Sequence, residues 1–337
     1  MDDQIVIFKN EKIGDLIHSV NSIKKIILKY PNKKINIFLS HYNSEMKFLF
    51  ISKNVVFHII SEKVNIFDKI QILKFFFIRK IKDVYIFKPS NFLFFLPLIF
   101  YLKKIRFLAI CVDNYDYHRP NLFLRKFLNR FVVNDRSSRK IRKSISNLHL
   151  DLALELDNSD FIFSSMKTNS IGNEILDNYV LIHFNKLKFK SVNWEINDLF
   201  TLINELKTHY KKIVITNDLN DNESKKKIIT KYEKDKKRII YYPNITGKPF
   251  FDLIGNAKLV ISFHGMITSI GAIQNTPVLD LFNCTIKNKN DFYQYKNAFH
   301  EFKPKLNNYE FIIPKNNLAL TINKIRYIIT HGRKFNN

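Results

Sequence analysis

Cysteine and glycine are scarce in this chain. Only Cys111 and Cys284 carry a thiol, too far apart for a zinc-ligand pair, which excludes a disulfide-stapled scaffold and fits a reducing compartment. Seven glycines beside a hydrophobic content of 46% exclude a low-complexity or disordered chain and leave a packed globular one. Acidic residues are also few: Lys and Arg number 55 against 30 Asp and Glu, a formal net charge of +25. That excess points to an anionic partner. Lys, Asn, Ile and Phe are all abundant together, however, so compositional bias is the competing explanation. No apolar run reaches the ~20 residues that span a bilayer. The longest, Phe92 to Leu102 with Lys103-Lys104 behind it, reads as a buried helix or as a segment touching a membrane surface. Met1-Asp2-Asp3 leads straight into a strand without the basic and apolar regions of a signal peptide, so a cytoplasmic location is expected. There is no solenoid repeat, and no RNP-like run, helix-turn-helix glycine spacing or zinc knuckle to support nucleic-acid binding. A DxD-type acidic pair and His/Cys clusters at ligand spacing are missing too, so no metal site or cofactor is expected.

What is present is an alternation of short apolar runs with helical patterns, as in doubly wound α/β proteins. Strands are expected at 5–8, 34–39, 55–60, 83–87 and 105–110, with a helix over 67–80 and another at 147–156. A basic, polar region separates these at 115–146 and contains Arg119, Arg136 and Arg139. It reads as an anion-holding patch or as a solvated loop. Further strands are expected at 179–184 and 212–216, the latter ending at Thr216, with a loop over 186–194, a helix over 196–209 and a terminal helix over 318–330. The length suits two domains, 1–160 and 175–337, with the linker between Asp157 and Asn178.

Two stretches carry chemistry. In the first, the strand Ile5-Val6-Ile7-Phe8 runs through a polar loop into Gly14-Asp15-Leu16-Ile17-His18, with Asp15 expected at a helix N-cap. In the second, Pro249 opens a helix, Leu259-Val260-Ile261 is a buried strand, Ser262-Phe263-His264-Gly265 is the turn, and Met266 to Gln274 is a helix. Asn275-Thr276-Pro277 stops it before the strand Val278 to Phe282. A strand-turn-helix of this kind presents backbone N–H groups at the carboxyl edge of a sheet, where a phosphate fits.

The order of these pieces resembles the heptosyltransferase-like glycosyltransferases, the ADP-heptose:lipopolysaccharide family (glycosyltransferase family 9), over nearly the whole chain. That resemblance implies a GT-B architecture: two Rossmann-like doubly wound domains facing an interdomain cleft, acceptor on the first and nucleotide-sugar on the second. It implies metal-independent, inverting transfer of heptose or a related sugar to lipopolysaccharide or another surface glycan. Asp15 falls at the family's proposed catalytic base. Ser262, His264, Gly265, Met266, Thr268 and Ser269 fall in the donor turn, with Thr216 at a neighbouring strand end. Acceptor contacts are expected from His18, Arg119, Arg136 and Arg139, and a lipid-linked acceptor implies peripheral contact with the inner face of an anionic membrane. The terminal helix is either a return to the first domain, as the family implies, or an ordinary helix of the second. The chain departs from the family in two places. Phe263-His264-Gly265 stands where the family reads Asp-Thr/Ser-Gly, with the family's His falling on Thr268 or Ser269. Val192 stands two before Trp194, where the family has a donor-contacting base, leaving Lys188 or Lys190 as substitutes. The rival reading is a non-catalytic or degenerate anion-binding protein, for nucleic acid or a membrane surface.

Overall fold

Apolar runs of four to six residues between polar loops are too short for helices and suit strands buried on both faces. The computed structural model describes residues 3–113, 122–135, 144–155, 178–217, 221–281, 309–312 and 318–331. They form two compact units, 3–155 and 178–331.

The first unit runs β1 (Gln4–Lys9), α1 (Ile13–Ile17), α2 (Val20–Lys29), β2 (Ile35–Ser40), a 3₁₀ turn (Ser44–Phe50), β3 (Val55–Ile60), α3 (Ile66–Ile78), β4 (Ile81–Ile86) and α4 (Asn91–Ile99). It continues with β5 (Arg106–Asp113), α5 (Leu122–Arg125), β6 (Arg130–Asp135) and α6 (Ile145–Leu154). The strand order is β3-β2-β1-β4-β5-β6, every pair parallel. α3 starts where Asn65 and Asp68 cap each other reciprocally, Asp68 N–H to Asn65 Oδ1 at 2.9 Å and Asn65 N–H to Asp68 Oδ2 at 3.0 Å. α3, α4 and α5 bury Ile72, Phe76, Leu93, Phe94 and Leu124 against Val6, Phe8, Val84 and Ile86 on one face of the sheet. α2 packs on α6, which lies against β5 and β6.

The second unit runs β7 (Tyr179–Phe184), α7 (Lys186–Lys190), α8 (Ile196–Leu206), β8 (Lys212–Asn217), α9 (Asn222–Lys231), β9 (Ile239–Tyr242) and α10 (Gly247–Gly255). β10 (Leu259–Phe263), α11 (Met266–Ile273), β11 (Val278–Leu281), β12 (Tyr309–Ile312) and α12 (Leu318–His331) complete it. Its order, β12-β11-β10-β7-β8-β9, is again all parallel and repeats the first sheet's topology strand for strand. Trp194 anchors this core, fully buried against Phe189 and Phe263.

Several expectations need correction. The region read as basic and polar contains β6, because Phe131-Val132-Val133 is a strand too short to stand out between charged neighbours. Residues 186–190 are a helical turn, not a loop, since Asn185 caps them by accepting from Lys188 N–H at 2.8 Å. β12 was not foreseen. α12 places Ile322, Ile325 and Ile329 in the second core and packs on α8 and β12. In each sheet the crossover direction reverses at the first strand, between β1 and β4 and between β7 and β10, and ligands of open α/β sheets bind at the carboxyl ends beside that point.

Candidate functional site

At the first unit's switch point the loop after β1 is tied to the ends of three other strands. Asn43 Nδ2 donates to Lys9 O at 2.8 Å, Ser40 Oγ to Glu11 O at 2.6 Å, Asn10 Nδ2 to Ser61 O at 2.8 Å, and Lys88 Nζ to Asn10 O at 3.2 Å. Lys9 is buried and forms an ion pair with Glu11. Out of this braced loop comes α1, whose N-cap is Lys12 and not Asp15. Asp15 lies within the first turn, half-buried, because the helix begins three residues earlier than the apolar pattern that starts at Leu16. Burial raises the Asp15 carboxyl above its ordinary range and Glu11 adds to this, with Lys9, Lys12 and Lys88 opposing. Burial depresses the Lys88 ammonium in turn. A carboxyl held up and an amine held down within one small cluster are the kind of perturbation found at reaction centres.

His18 is buried at the end of α1, its Nδ1 3.2 Å from Ser146 Oγ on α6. Next to it lies the fully buried His149, kept neutral by burial and by the Lys9 charge. The other expected acceptor contacts, Arg119, Arg136 and Arg139, lie outside the described residues.

The second unit's switch point is built from β7–α7 and β10–α11. Gly265, at φ 157° and ψ −149°, occupies backbone space that is essentially glycine's alone, and it turns the chain from β10 into α11. Its N–H is taken up by Thr268 Oγ1 at 3.1 Å, and both Thr268 Oγ and Ser269 Oγ donate back to Gly265 O, at 2.9 and 3.0 Å. The two candidates for the family's His position are thus both buried and both spent on shaping the turn. Met266 is partly exposed at the first position of α11, whose N-cap residue, Gly265, has no side chain to cap the first-turn N–H groups. Lys188 reaches this turn from α7: its Nζ donates to His264 O, and a Cβ added to Gly265 would lie 3.0 Å from that nitrogen. Lys190, two residues on, is exposed.

His264 is fixed from three sides. Its N–H donates to Leu281 O at 3.1 Å, its carbonyl accepts from Lys188, and its Nδ1 sits 2.6 Å from Oδ2 of Asp280, fully buried on β11. Asp280 belongs to a polar row that crosses five strands at one register level, Tyr242–Thr216–His183–Ser262–Asp280. Within it His183 Nδ1 is 2.9 Å from Thr216 Oγ1. Paired residues of parallel strands point to the same face, so this row sits one step inside the carboxyl edge, immediately below the turn at Gly265. Sequence reasoning named Thr216, Ser262 and His264 but missed His183, Asp280, Asn10 and Lys88. The signal existed: in each of these second-unit strands a polar residue interrupts an apolar run near its carboxyl end, while Lys88 follows the β4 run directly.

No protein-family model matches the sequence, and no curated protein matches it. Solved structures do. The E. coli ADP-heptose lipopolysaccharide heptosyltransferase II superposes with a TM-score of 0.66 at 11% identity, covering 96% of this chain and 98% of that one. The E. coli heptosyltransferase WaaC with ADP-2-deoxy-2-fluoro heptose gives 0.64 at 13% identity over 98% and 99%. This is the GT-B fold. It is shared beyond glycosyl transfer: a putative UDP-N-acetylglucosamine 2-epimerase from Listeria monocytogenes gives 0.60 at 9% identity over 99% and 90%. The GT-B topology therefore sets where a ligand sits, and the side chains must argue what it is.

Proposed function

We propose that the chain is a glycosyltransferase that moves a sugar from a nucleotide-sugar, held by the second unit, to a hydroxyl of a glycan or glycolipid held by the first. The observation that carries this reading is the Lys188 ammonium lying against Gly265 at the start of α11, where the N-cap residue has no side chain to offer the first-turn N–H groups. A cation, a helix N-terminus and a residue without Cβ in one place make a diphosphate seat. In the reaction the acceptor oxygen attacks the anomeric carbon and the bond from that carbon to the diphosphate breaks. The nucleoside diphosphate departs with the bonding electrons, and a base takes the hydroxyl proton. One displacement inverts the anomeric centre. Lys188 and the α11 N–H groups meet the developing charge on the leaving group, a role that needs no metal ion. His264, aimed by Asp280, hydrogen-bonds a phosphate oxygen. Asp15, its carboxyl raised by burial toward working pH, is the general base. The resemblance and the shared fold support a heptose-type sugar and a lipopolysaccharide or other surface-glycan acceptor, contacted by His18, Arg119, Arg136 and Arg139 at the inner face of a membrane.

The test is a thermal-shift series with ADP-, UDP-, GDP- and CMP-sugars, followed by product analysis with and without a glycan acceptor. One donor at about 100 times its dissociation constant should stabilise by about 2.7 kcal/mol. Transfer should then require the acceptor. Conversion of the donor sugar with no acceptor would make the protein an epimerase. No stabilisation by any nucleotide-sugar would leave the turn an anion seat without this chemistry.

A further inference from the structure

The outer surfaces of α3 and α4 are built of the wrong residues for water. Helices that cover a sheet ordinarily show an apolar stripe inward and a polar one outward. α3 buries Ile72 and Phe76, yet its outward face carries Phe67, Ile70 and Phe77; α4 buries Leu93 and Leu96, yet exposes Phe95 and Ile99. The turn after α4 adds Leu102, 91% exposed. These are neighbours and not scattered residues. Phe77 packs edge-on to Phe100 with ring centroids 4.9 Å apart, and Lys103 Nζ donates to Phe76 O at 3.0 Å and Phe77 O at 2.8 Å, fastening the turn to the end of α3. The turn after α4 and the end of α3 therefore form one preformed apolar surface facing solvent.

Its charge is one-sided. Lys74, Arg79, Lys103 and Lys104 stand exposed among the apolar side chains, while the only carboxylates between residues 63 and 112, Asp68 and Asp83, are both buried. An overall compositional excess of lysine would not by itself remove every exposed acid from this fifty-residue stretch, and Asp3, a partly exposed carboxylate beside it, is paired with Lys80. A second copy of the chain, docked symmetrically, would bring these cations against their own equivalents. Protein interfaces in general are poor in lysine. Exposed Phe, Ile and Leu set among Lys and Arg are what the boundary of an anionic bilayer takes up: apolar groups enter the acyl region while long basic side chains reach back to the headgroups. We infer that the α3–α4 face of the first unit is a peripheral docking surface for an anionic lipid bilayer. The inference gives a location to the membrane contact proposed above and stands without the donor chemistry.

The experiment uses the full chain, with no nucleotide or acceptor present, sedimented with vesicles of phosphatidylcholine alone or mixed with phosphatidylglycerol. Binding should need the anionic lipid and weaken with salt. Each cation close to such a surface contributes about fivefold, so K74Q/R79Q/K104Q should lower partitioning by about a hundredfold. F67S/I70S/L102S should lower it by at least about tenfold. All six positions are exposed, so unchanged circular-dichroism melts are expected and are checked alongside. K226Q/K234Q/K237Q, which removes three lysines of the second unit, should leave partitioning within about twofold. Insertion has its own readout: Trp194, the only tryptophan, is buried in the other unit, so fluorescence of L102W should gain a component quenched by brominated lipid. Equal loss from both charge variants would reduce the effect to net charge and overturn the proposal. So would absence of binding, an L102W indole unquenched on bound vesicles, or a concentration-dependent dimer abolished by F67S/I70S/L102S. Because no donor is involved, failure here leaves the transferase reading untouched, and the reverse holds.

Discussion

Asp15 shows how much depends on the position of a single carboxylate. As an N-cap it would be replaceable by Asn and would say nothing about chemistry. The structure gives the cap position to Lys12 and leaves Asp15 half-buried in the first turn, with Glu11 close enough to add to the effect of burial. A carboxyl raised in the folded state keeps its proton to higher pH than in the unfolded chain. Ionisation therefore costs folded-state stability as pH rises through the raised value, and none of that cost is felt below the unfolded value near 3.8. Asp15→Asn should accordingly be as stable as wild type at neutral pH, or slightly more so. Transfer should fall by about 10² or more, the usual contribution of a general base, with donor affinity nearly unchanged. In wild type, kcat/KM should rise with pH through a carboxyl value above the ordinary aspartate range, and that acid limb should vanish in the variant. A variant within a few-fold of wild type in transfer, keeping the same limb, would remove Asp15 as the base.

At the scale of elements, the short turn from β10 into α11 and the five-residue α7 together make the proposed donor seat, and they differ in how legible they were. The β10–α11 turn could be read because Gly265 breaks an apolar pattern whose period changes from strand to helix at that point. α7 could not, since Lys186 to Lys190 has no apolar period and helix formation there depends on the Asn185 cap and on burial of Phe189 against Phe184 and Phe263. The choice between Lys188 and Lys190 likewise needed the helix to put one lysine against Gly265 and the other in solvent. Buried parallel strands were the most legible elements, their continuous apolar runs being the direct trace of two covered faces. Their register was not: the row from Tyr242 to Asp280 exists only once five strands are aligned, so the polar break at Asp280 could be read but its pairing with His264 could not. The two sides of the seat can be separated by experiment. Lys188→Met removes the cation and leaves Gly265 free, and should weaken donor binding by about 1.5–3 kcal/mol, the usual worth of a hydrogen bond to a charged group. Gly265→Ala keeps the cation but forces a backbone conformation that costs about 1–3 kcal/mol, so it should lose both stability and donor affinity. Calorimetry of donor binding to both variants checks this. Unchanged affinity in the two of them would place the donor elsewhere.

At the scale of the whole chain, one topology has been used twice with different contents. Both sheets arrange six strands around a switch point in the same order, but the first surrounds it with a depressed lysine and a raised carboxyl, and the second with a cation, a glycine and the start of α11. The first set suits proton transfer and the second suits holding an anion. Every group assigned to the donor belongs to the second unit: Lys188, His264, Gly265 and the start of α11. Nucleotide binding should therefore be legible in one half of the chain. Hydrogen exchange with a saturating nucleotide-sugar or its nucleoside diphosphate should slow amides of the β7–α7 and β10–α11 segments and of the strands beneath them. At 100 times the dissociation constant the added protection should approach about 2.7 kcal/mol for amides that exchange only by unfolding of that unit. Amides of β1 to β6 should exchange as they do without ligand, and Lys188→Met should abolish the second-unit protection at the same nucleotide concentration. Protection concentrated at the β1–α1 loop would reverse the assignment, giving the nucleotide to the first unit and leaving Asp15 beside a phosphate in place of a hydroxyl. Slowing spread evenly along the chain and removed by moderate salt would mark the nucleotide as a nonspecific counterion of a chain carrying +25 charges, which the same measurement with inorganic sulfate would reproduce.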